Sequence, residues 1–484
     1  MSVPPVTKCS LAEIKDILSK GEISPVSLKD QMLNRIEETK NMNIYISVNE
    51  SIEDVKDSFE RIRNKKARAL EGIPISIKDL YCIKNERTTA GSYVLKHYIP
   101  NYTATVVQKS LDAGAINMGK TNLDEFAMGS TTQNPTFGTT LNPLNSDYLT
   151  GGSSGGSAAS VAAGTCFAAI GSDTGGSVRL PASFCGLVGA RPSYGRCSRF
   201  GMIAFSSSFD QPGVITRTVE DCSIVLEQMI GHDERDMTTV KKEVPKLNFD
   251  TQNFDTQDIQ DYKIGFFDCN PAQCLQNRWK HILNDLQTTH NIQVNSVEVD
   301  CMNWIIPLYY TLTSAEAFSN LMKYDGIEYG IYNTNSWKND NFYENYRELF
   351  GEEIRRRIMT GAYILSAEHY QDYYIKAKKL LSHVRREFAK IFEDVDALII
   401  PTTFDEALRI TQKFDNPTEV YEADKFTVVA PLANLPSISI PVGVGQTGMP
   451  ISIQVLTKSF DETTMFKIAR FIEKWYGKSF YAKI

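Results

Sequence analysis

Three short segments carry residue types that hydrolytic acyl transfer needs. They are a lone lysine in PISIKD (Lys78), a Gly/Ser loop GGSSGGS at Gly151–Ser157, and a second loop, DTGGSVRLPAS, at Asp173–Ser183. Ser153 and Ser177 sit among glycines whose backbone N–H groups can crowd around an anion. A tetrahedral oxyanion requires such preorganised donors, and Thr174, Gly175 and Gly176 lie immediately before Ser177 to supply them. A serine hydroxyl is a weak nucleophile without a base in reach. Lys78 ends the apolar run Ile73–Ile77, and burial there predicts a pKa pushed down from the ordinary value of about 10.4. The combination predicts a serine-based hydrolytic site without a histidine.

Two other motif matches fail on context. Gly114–Thr121, GAINMGKT, fits the phosphate-loop expression, but a predicted helix precedes Gly114 and AINM is itself strand-like. GGSSG at Gly151–Gly155 fits the nucleophile elbow, yet the preceding NPLNSDYLT is turn-rich rather than a strand. His369 and His383, the histidines that elbow would call on, lie in charged helical patterns and read as surface residues. Arg355–Arg357 forms a basic run whose ordinary meaning is a solvated helix face.

Composition sets the class. The chain has 484 residues, 42% hydrophobic and 23% charged, with net charge −7, which suits a globular protein and argues against broad, unaided nucleic-acid binding. Nine cysteines without a CxxC pair predict free thiols in a reducing compartment, Cys269 and Cys274 included. The start, MSVPPVTKCSLAEIKDIL, has no signal-peptide core and is too acidic for a transit peptide, and no apolar run is long enough to span a bilayer.

The elements that must position the site alternate along the chain. Helices are expected at Leu11–Lys20, Ser27–Thr39, Ser51–Leu70, Thr105–Ala113 and Asn122–Ser130, with Ser10 and Ser24 as caps of the first two. Ile73–Ile77 and Ala115–Met118 read as buried strands, and Ala158–Ser172 as a small-residue helix that packs tightly and holds both loops still. Beyond Val214, Asp233–Thr256 reads as a polar surface excursion. Strands follow at Asp261–Phe267, Ile292–Val299 and Ala397–Ile400, and helices at Arg278–Thr288, Tyr309–Lys323, Glu352–Ile364 and Ala367–Phe392. A hairpin, Ser437–Val444 with Ile451–Leu456, and a final helix, Asp461–Tyr476, close the chain. Interleaving of this kind predicts one α/β/α domain with helical decoration in its second half.

The Lys78 segment, TGGSSGGSAASVAAG and GSDTGGSVRLPASFCGLVG together resemble the amidase signature family. Further segments, including GKTNLDEFAMGS (Gly119–Ser130), RRRIMTGAYILS (Arg355–Ser366) and YEADKFT (Tyr421–Thr427), resemble the glutaminase subunits of the glutamyl-tRNA(Gln)/aspartyl-tRNA(Asn) amidotransferases (the GatA type) within it. Departures are few: Thr131-Thr132-Gln133-Asn134 replaces the usual STEN, Leu180 a common glutamine and Arg191 a common lysine, and none touches Lys78, Ser153 or Ser177. The resemblance implies one amidase domain over 1–484 with a central mixed β-sheet flanked by helices. Its signature core spans about 60–230, C-terminal strands about 420–460, and helical decoration about 240–415.

The same resemblance implies Ser177 as nucleophile, Ser153 as proton relay with a cis peptide bond to Gly152, and Lys78 as base. It implies Arg357, or its neighbour Arg356, and Asp424 as the pair that holds the carboxylate and ammonium of glutamine, with Tyr309 or Tyr310 nearby. The activity it implies is a glutaminase that supplies ammonia to convert Glu-tRNA(Gln) to Gln-tRNA(Gln), with Asp-tRNA(Asn) as an open second acceptor. Expected partners are a GatB-like kinase/transamidase subunit, a small GatC-like subunit and misacylated tRNA; no metal or cofactor is expected in this chain, and ATP and Mg are expected on the partner. A stand-alone amidase and a catalytically silent scaffold are the competing readings. The intact Lys-Ser-Ser set speaks against the scaffold, and the absence of a presequence favours bacterial cytoplasm over an organelle matrix.

Overall fold

The run ending at Lys78 is a strand, Pro74–Lys78, and every residue in it is buried. Ile73, Ile75 and Ile77 alternate with Pro74 and Ser76, and with both faces buried the Ser76 hydroxyl is paired with Tyr45 Oη at 2.7 Å. The computed structural model describes residues 6–134, 136–247, 256–327, 329–330, 346–412 and 416–480. Among the described residues, eleven strands share one sheet. In chain order they are β1 (Tyr45–Val48), β2 (Pro74–Lys78), β3 (Ile116–Thr121), β4 (Ala168–Asp173), β5 (Val188–Arg191), β6 (Gln211–Thr216), β7 (Lys263–Phe266), β8 (Gln293–Ser296), β9 (Ala397–Pro401), β10 (Ser437–Val444) and β11 (Pro450–Thr457). Their order across the sheet is β1-β3-β2-β4-β6-β5-β10-β11-β9-β7-β8.

β2 runs parallel to β3 and β4, which sets Lys78 opposite Thr121 and Ile77 opposite Ile170. From β4 across to β9 each neighbouring pair is antiparallel, and β9, β7 and β8 are parallel again. The sheet is therefore mixed, and helices cover it to complete a single α/β domain. β10 and β11 form the expected hairpin, and the helix Glu462–Tyr476 packs on both. Ser10 and Ser24 cap the helices Leu11–Ser19 and Pro25–Glu38 as expected; at Ser10 the cap is reciprocal, with Glu13 accepting the Ser10 N–H at 2.7 Å.

Several expectations need correction. Asn122–Ser130 is not a helix: only a short turn, Glu125–Ala127, forms, and Phe126 has φ 48°. Its polar side chains compete for the backbone. Asp124 accepts the Thr132 N–H at 2.8 Å, Glu125 accepts the Gly351 N–H at 2.8 Å, and Asn122 donates to the Gly138 carbonyl at 3.0 Å. Ala158–Ser172 is half helix and half strand, since the helix Gly155–Ala162 ends before Gly164 and β4 begins at Ala168. The charged helix expected over Ser51–Leu70 covers only Glu53–Arg63. Ala367–Phe392 opens with turn residues, 367–370, followed by a π-turn, Gln371–Ile375, and the helix Lys376–Asp394.

The polar excursion begins with a buried residue. Asp233 accepts hydrogen bonds from Ser198 at 2.8 Å and Arg235 at 3.0 Å; part of that segment, 248–255, lies outside the described residues. The phosphate-loop match is strand β3, and its lysine is committed: Lys120 Nζ donates to Asp79 at 2.6 Å with both side chains buried. All nine cysteines are free thiols. No helix among the described residues is long and apolar enough to cross a membrane.

Candidate active site

Lys78 is carried to the end of β2 and is wholly buried. Its Nζ lies 2.7 Å from Ser153 Oγ, 2.9 Å from Ser154 Oγ and 2.8 Å from Ser172 Oγ. Burial pushes the ammonium down to about 7, against the opposing pull of Asp124, Asp173 and Asp210. The proton inventory around the neutral amine is specific. Ser154 Oγ donates to the Ser172 carbonyl at 3.2 Å, so it receives a hydrogen bond from Lys78. With Ser154 taking one N–H, the second N–H and the amine lone pair are left for the Ser153 and Ser172 hydroxyls.

The two Gly/Ser loops are tied together through backbone, the Ser154 N–H donating to the Ser177 carbonyl at 3.1 Å. The Gly152–Ser153 peptide bond is cis, as the family resemblance implies. Gly152 admits no side chain, since a Cβ there would lie 1.9 Å from Asp124 Oδ2. Ser177 keeps 8% of its surface accessible, whereas Ser153 has none.

A buried ion cluster holds the second loop. Arg179 grips Asp173 through Nε at 3.0 Å and Nη2 at 3.0 Å, and reaches Gln454 at 2.8 Å. Arg191, the residue that replaces a common lysine, donates to the Asp173 carbonyl and to the Phe209 carbonyl at 3.0 Å. Thr427 Oγ1 donates to the Gly175 carbonyl at 2.7 Å. Because a trans peptide points its C=O and N–H in opposite directions, these two anchors turn the Thr174 and Gly176 N–H groups away from Arg191 and Thr427. Gly176 has φ 134°, and a Cβ there would meet Thr427 Oγ1 at 2.2 Å, so only glycine fits. Thr174 Oγ1 donates to Asp210 at 2.6 Å, and the other Asp210 oxygen accepts the N–H groups of Phe205 at 2.9 Å and Ser206 at 3.0 Å.

The candidate substrate pair is also brought in. Arg357 is buried, so it is not part of a solvated face; Arg356 is half-buried and paired with Glu352 at 2.9 Å. Arg357 Nε donates to Glu353 at 2.7 Å, and its guanidinium lies 4.6 Å from the Tyr310 ring centroid. Asp424 is buried rather than on a helix surface, and accepts hydrogen bonds from Ser130 at 2.9 Å and Tyr310 at 2.8 Å. Burial raises its carboxyl to about 6 in spite of those donors. Tyr309 is buried with its hydroxyl 2.4 Å from where a Gly175 Cβ would stand. A cavity of about 360 Å³ opens beside them, lined by Asp124, Ser130, Glu353, Arg356, Arg357 and Tyr421 among others.

His369 is half-buried against Tyr363, with ring centroids 3.9 Å apart, in the turn between two helices and not on the expected helix; His383 is exposed beside Trp304 on the helix Lys376–Asp394. Residues the sequence reading missed are Ser154 and Ser172 on Lys78, Asp124 beside Gly152, Asp210, Thr427 and Ser130. The first Gly/Ser loop contained Ser154 and the small-residue stretch Ser172, but nothing in either separates a serine that touches the lysine from one that packs.

Comparison with known proteins places this geometry in a lineage. The amidase family pattern matches residues 28–466. The glutamyl-tRNA(Gln) amidotransferase A-subunit of Orientia tsutsugamushi (strain Boryong) is 42% identical over 496 residues, covering 99% of both chains. The protein of the same name from Syntrophus aciditrophicus (strain SB) is 39% identical over 472 residues, covering 96% of each. Among solved structures, the glutamyl-tRNA(Gln) amidotransferase A-subunit of Thermotoga maritima is 34% identical over the full length of both chains, with a TM-score of 0.81. The peptide amidase of Stenotrophomonas maltophilia is 25% identical, covers 99% of this chain and 100% of that one, and has a TM-score of 0.82. The buried lysine, the paired Gly/Ser loops and the sheet that joins them thus stand in a chain that belongs to the amidase family.

Proposed function

We propose that the chain is the glutamine-hydrolysing subunit of a tRNA-dependent amidotransferase, supplying ammonia for conversion of Glu-tRNA(Gln) to Gln-tRNA(Gln). The observation that carries the chemistry is Lys78, wholly buried and 2.7 Å from Ser153 at the junction of two Gly/Ser loops. Ser177 Oγ attacks the side-chain amide carbon of glutamine while its proton passes through Ser153 to Lys78 Nζ. The Thr174–Gly176 backbone receives the oxyanion. Collapse breaks the C–N bond; the proton returns through Ser153 to the leaving nitrogen, which departs as ammonia. Water then attacks the γ-glutamyl ester under the same base, releasing glutamate and regenerating the Ser177 hydroxyl.

Substrate choice follows from the other end of the cleft. Arg357 suits the α-carboxylate because its planar fork binds both oxygens, and Asp424 suits the α-ammonium. Relatives 39–42% identical over nearly the whole chain carry the name of the glutamyl-tRNA(Gln) amidotransferase, which supports an acceptor borne on tRNA. Ammonia released into water is protonated and lost as a nucleophile. The reading therefore includes a GatB-like partner that activates the tRNA-borne carboxylate with ATP and Mg and a small GatC-like subunit, in a bacterial cytoplasm. This chain needs no metal or cofactor for its own half-reaction.

The test is to co-purify the chain with its native partners and measure glutamine hydrolysis with and without ATP and misacylated tRNA. Hydrolysis should rise when both are present. A single purified chain with full, ATP-indifferent activity and no stable partner would instead establish a stand-alone amidase.

A further inference from the structure

Arg357 lines the cavity, Asp424 is hydrogen-bonded to Ser130, which lines it too, and a pair of stacked tyrosines links the two. The Tyr310 and Tyr421 rings lie 3.8 Å apart with 14° between their planes. Tyr310 donates to Asp424 at 2.8 Å, and Tyr421 donates to Glu353 Oε1 at 2.7 Å. That same Oε1 accepts the Arg357 Nε–H at 2.7 Å, while Oε2 takes Arg356 Nη1. Among the described residues Arg357 donates to protein through Nε alone, and it lines the cavity. Its guanidinium is flanked by the rings of Tyr310 at 4.6 Å, Tyr421 at 5.3 Å and Phe205 at 5.5 Å.

A glutamate four residues before an arginine on a helix is ordinarily a modest surface pair. Here a residue from a separate segment, Tyr421, converges on the same carboxylate oxygen, and its ring is stacked on the tyrosine that holds Asp424. A flexible arginine loses rotamer freedom when it binds a carboxylate; one already held through Nε and packed between rings has lost that freedom beforehand. A continuous chain of contacts thus runs from Glu353 through the two rings to Asp424.

We propose that Glu353 and Tyr421 are positioning residues for the substrate carboxylate. Glu353 pins the Arg357 fork beside the cavity, and the Tyr310–Tyr421 stack sets the spacing between that fork and Asp424. The cleft so built selects an α-amino acid zwitterion over a plain amide. This rests on the glutaminase reading of the same cleft and adds to it the residues that enforce the choice.

Four amides of matched chain length separate the effects: glutamine, glutaramate (no ammonium), 4-aminobutanamide (no carboxylate) and butanamide (neither). They are assayed on the co-purified complex, wild type against Glu353→Gln, Tyr421→Phe and Tyr421→Leu. Glu353→Gln should raise KM for glutamine and glutaramate about tenfold with kcat within about twofold, the scale of one charge-assisted contact. Neither 4-aminobutanamide nor butanamide should respond. Tyr421→Leu, which removes ring and hydroxyl, should act like Glu353→Gln on glutamine, and Tyr421→Phe, which keeps the stack, should have a smaller effect.

An unchanged glutamine KM in both Glu353→Gln and Tyr421→Leu overturns the inference. So does an equal loss on butanamide, which would mean a general packing role, or an equal loss on 4-aminobutanamide, which would break the link to the carboxylate. If the wild-type complex hydrolyses butanamide but not glutamine, the glutaminase reading falls, a result distinct from any variant effect.

Discussion

Lys78 offers the sharpest test of the site because its environment makes a numerical demand. Burial holds its pKa near 7, whereas an exposed lysine titrates near 10.5. At pH 7 about half of the buried amine is neutral, against roughly one part in three thousand for the exposed one, a gain on the order of a thousandfold in active base, or about 4 kcal/mol. Hydrolysis of glutamine should therefore show an acid limb in kcat/KM with a midpoint near pH 7, rising about tenfold between pH 6 and pH 8. Lys78→Arg should lose that activity throughout, because an arginine keeps the charge and never deprotonates.

Stability has a matching sign. A lysine whose folded pKa lies below its unfolded value binds fewer protons when folded, so the cost of burying it is full below pH 7 and is relieved between pH 7 and about 10.5. Relative to Lys78→Met, the wild-type chain should gain about 1.5–2 kcal/mol of unfolding free energy between pH 7 and pH 8.5, measured by denaturant titration. An acid limb near pH 10, no acid limb at all, or substantial turnover by Lys78→Arg would refute the neutral-amine reasoning.

Other expectations follow from the same geometry. Ser177→Ala should abolish amide hydrolysis and Ser153→Ala should leave a trace, read as initial rates of ammonia release; the reverse order would make Ser153 the nucleophile. Arg357→Ala should raise the glutamine KM roughly ten- to a hundredfold while sparing a small neutral amide, and equal losses on both would move the carboxylate contact to Arg356. Asp173→Asn should cost about 3–5 kcal/mol in denaturant unfolding, since it leaves Arg179 and Arg191 buried without their counter-charge. A loss under about 1 kcal/mol would show that the cluster is dispensable.

Local readings held where neighbouring residues set the outcome. Ser10 and Ser24 cap their helices because a cap needs only the next few backbone N–H groups. The run Ile73–Ile77 announced a buried strand, and the glycines around Ser153 and Ser177 announced backbone that must approach an anion. Asn122–Ser130 went the other way: its composition allowed a helix, but its polar side chains found backbone partners as distant as Gly351.

By itself, then, the sequence determined the α/β class, the buried lysine and the two serine loops, because each is written in contiguous residues. Tertiary structure alone decided which hydroxyls surround Lys78, since Ser153, Ser154 and Ser172 reach it from loop, helix cap and strand. It also decided that Arg357 is buried with its guanidinium over the Tyr310 ring while Arg356 stays half-buried, and that Asp424 is buried against Ser130, nearly three hundred residues away in the chain. The physical reason is that burial, and with it the pKa and charge balance of every one of these groups, depends on what the fold packs around them.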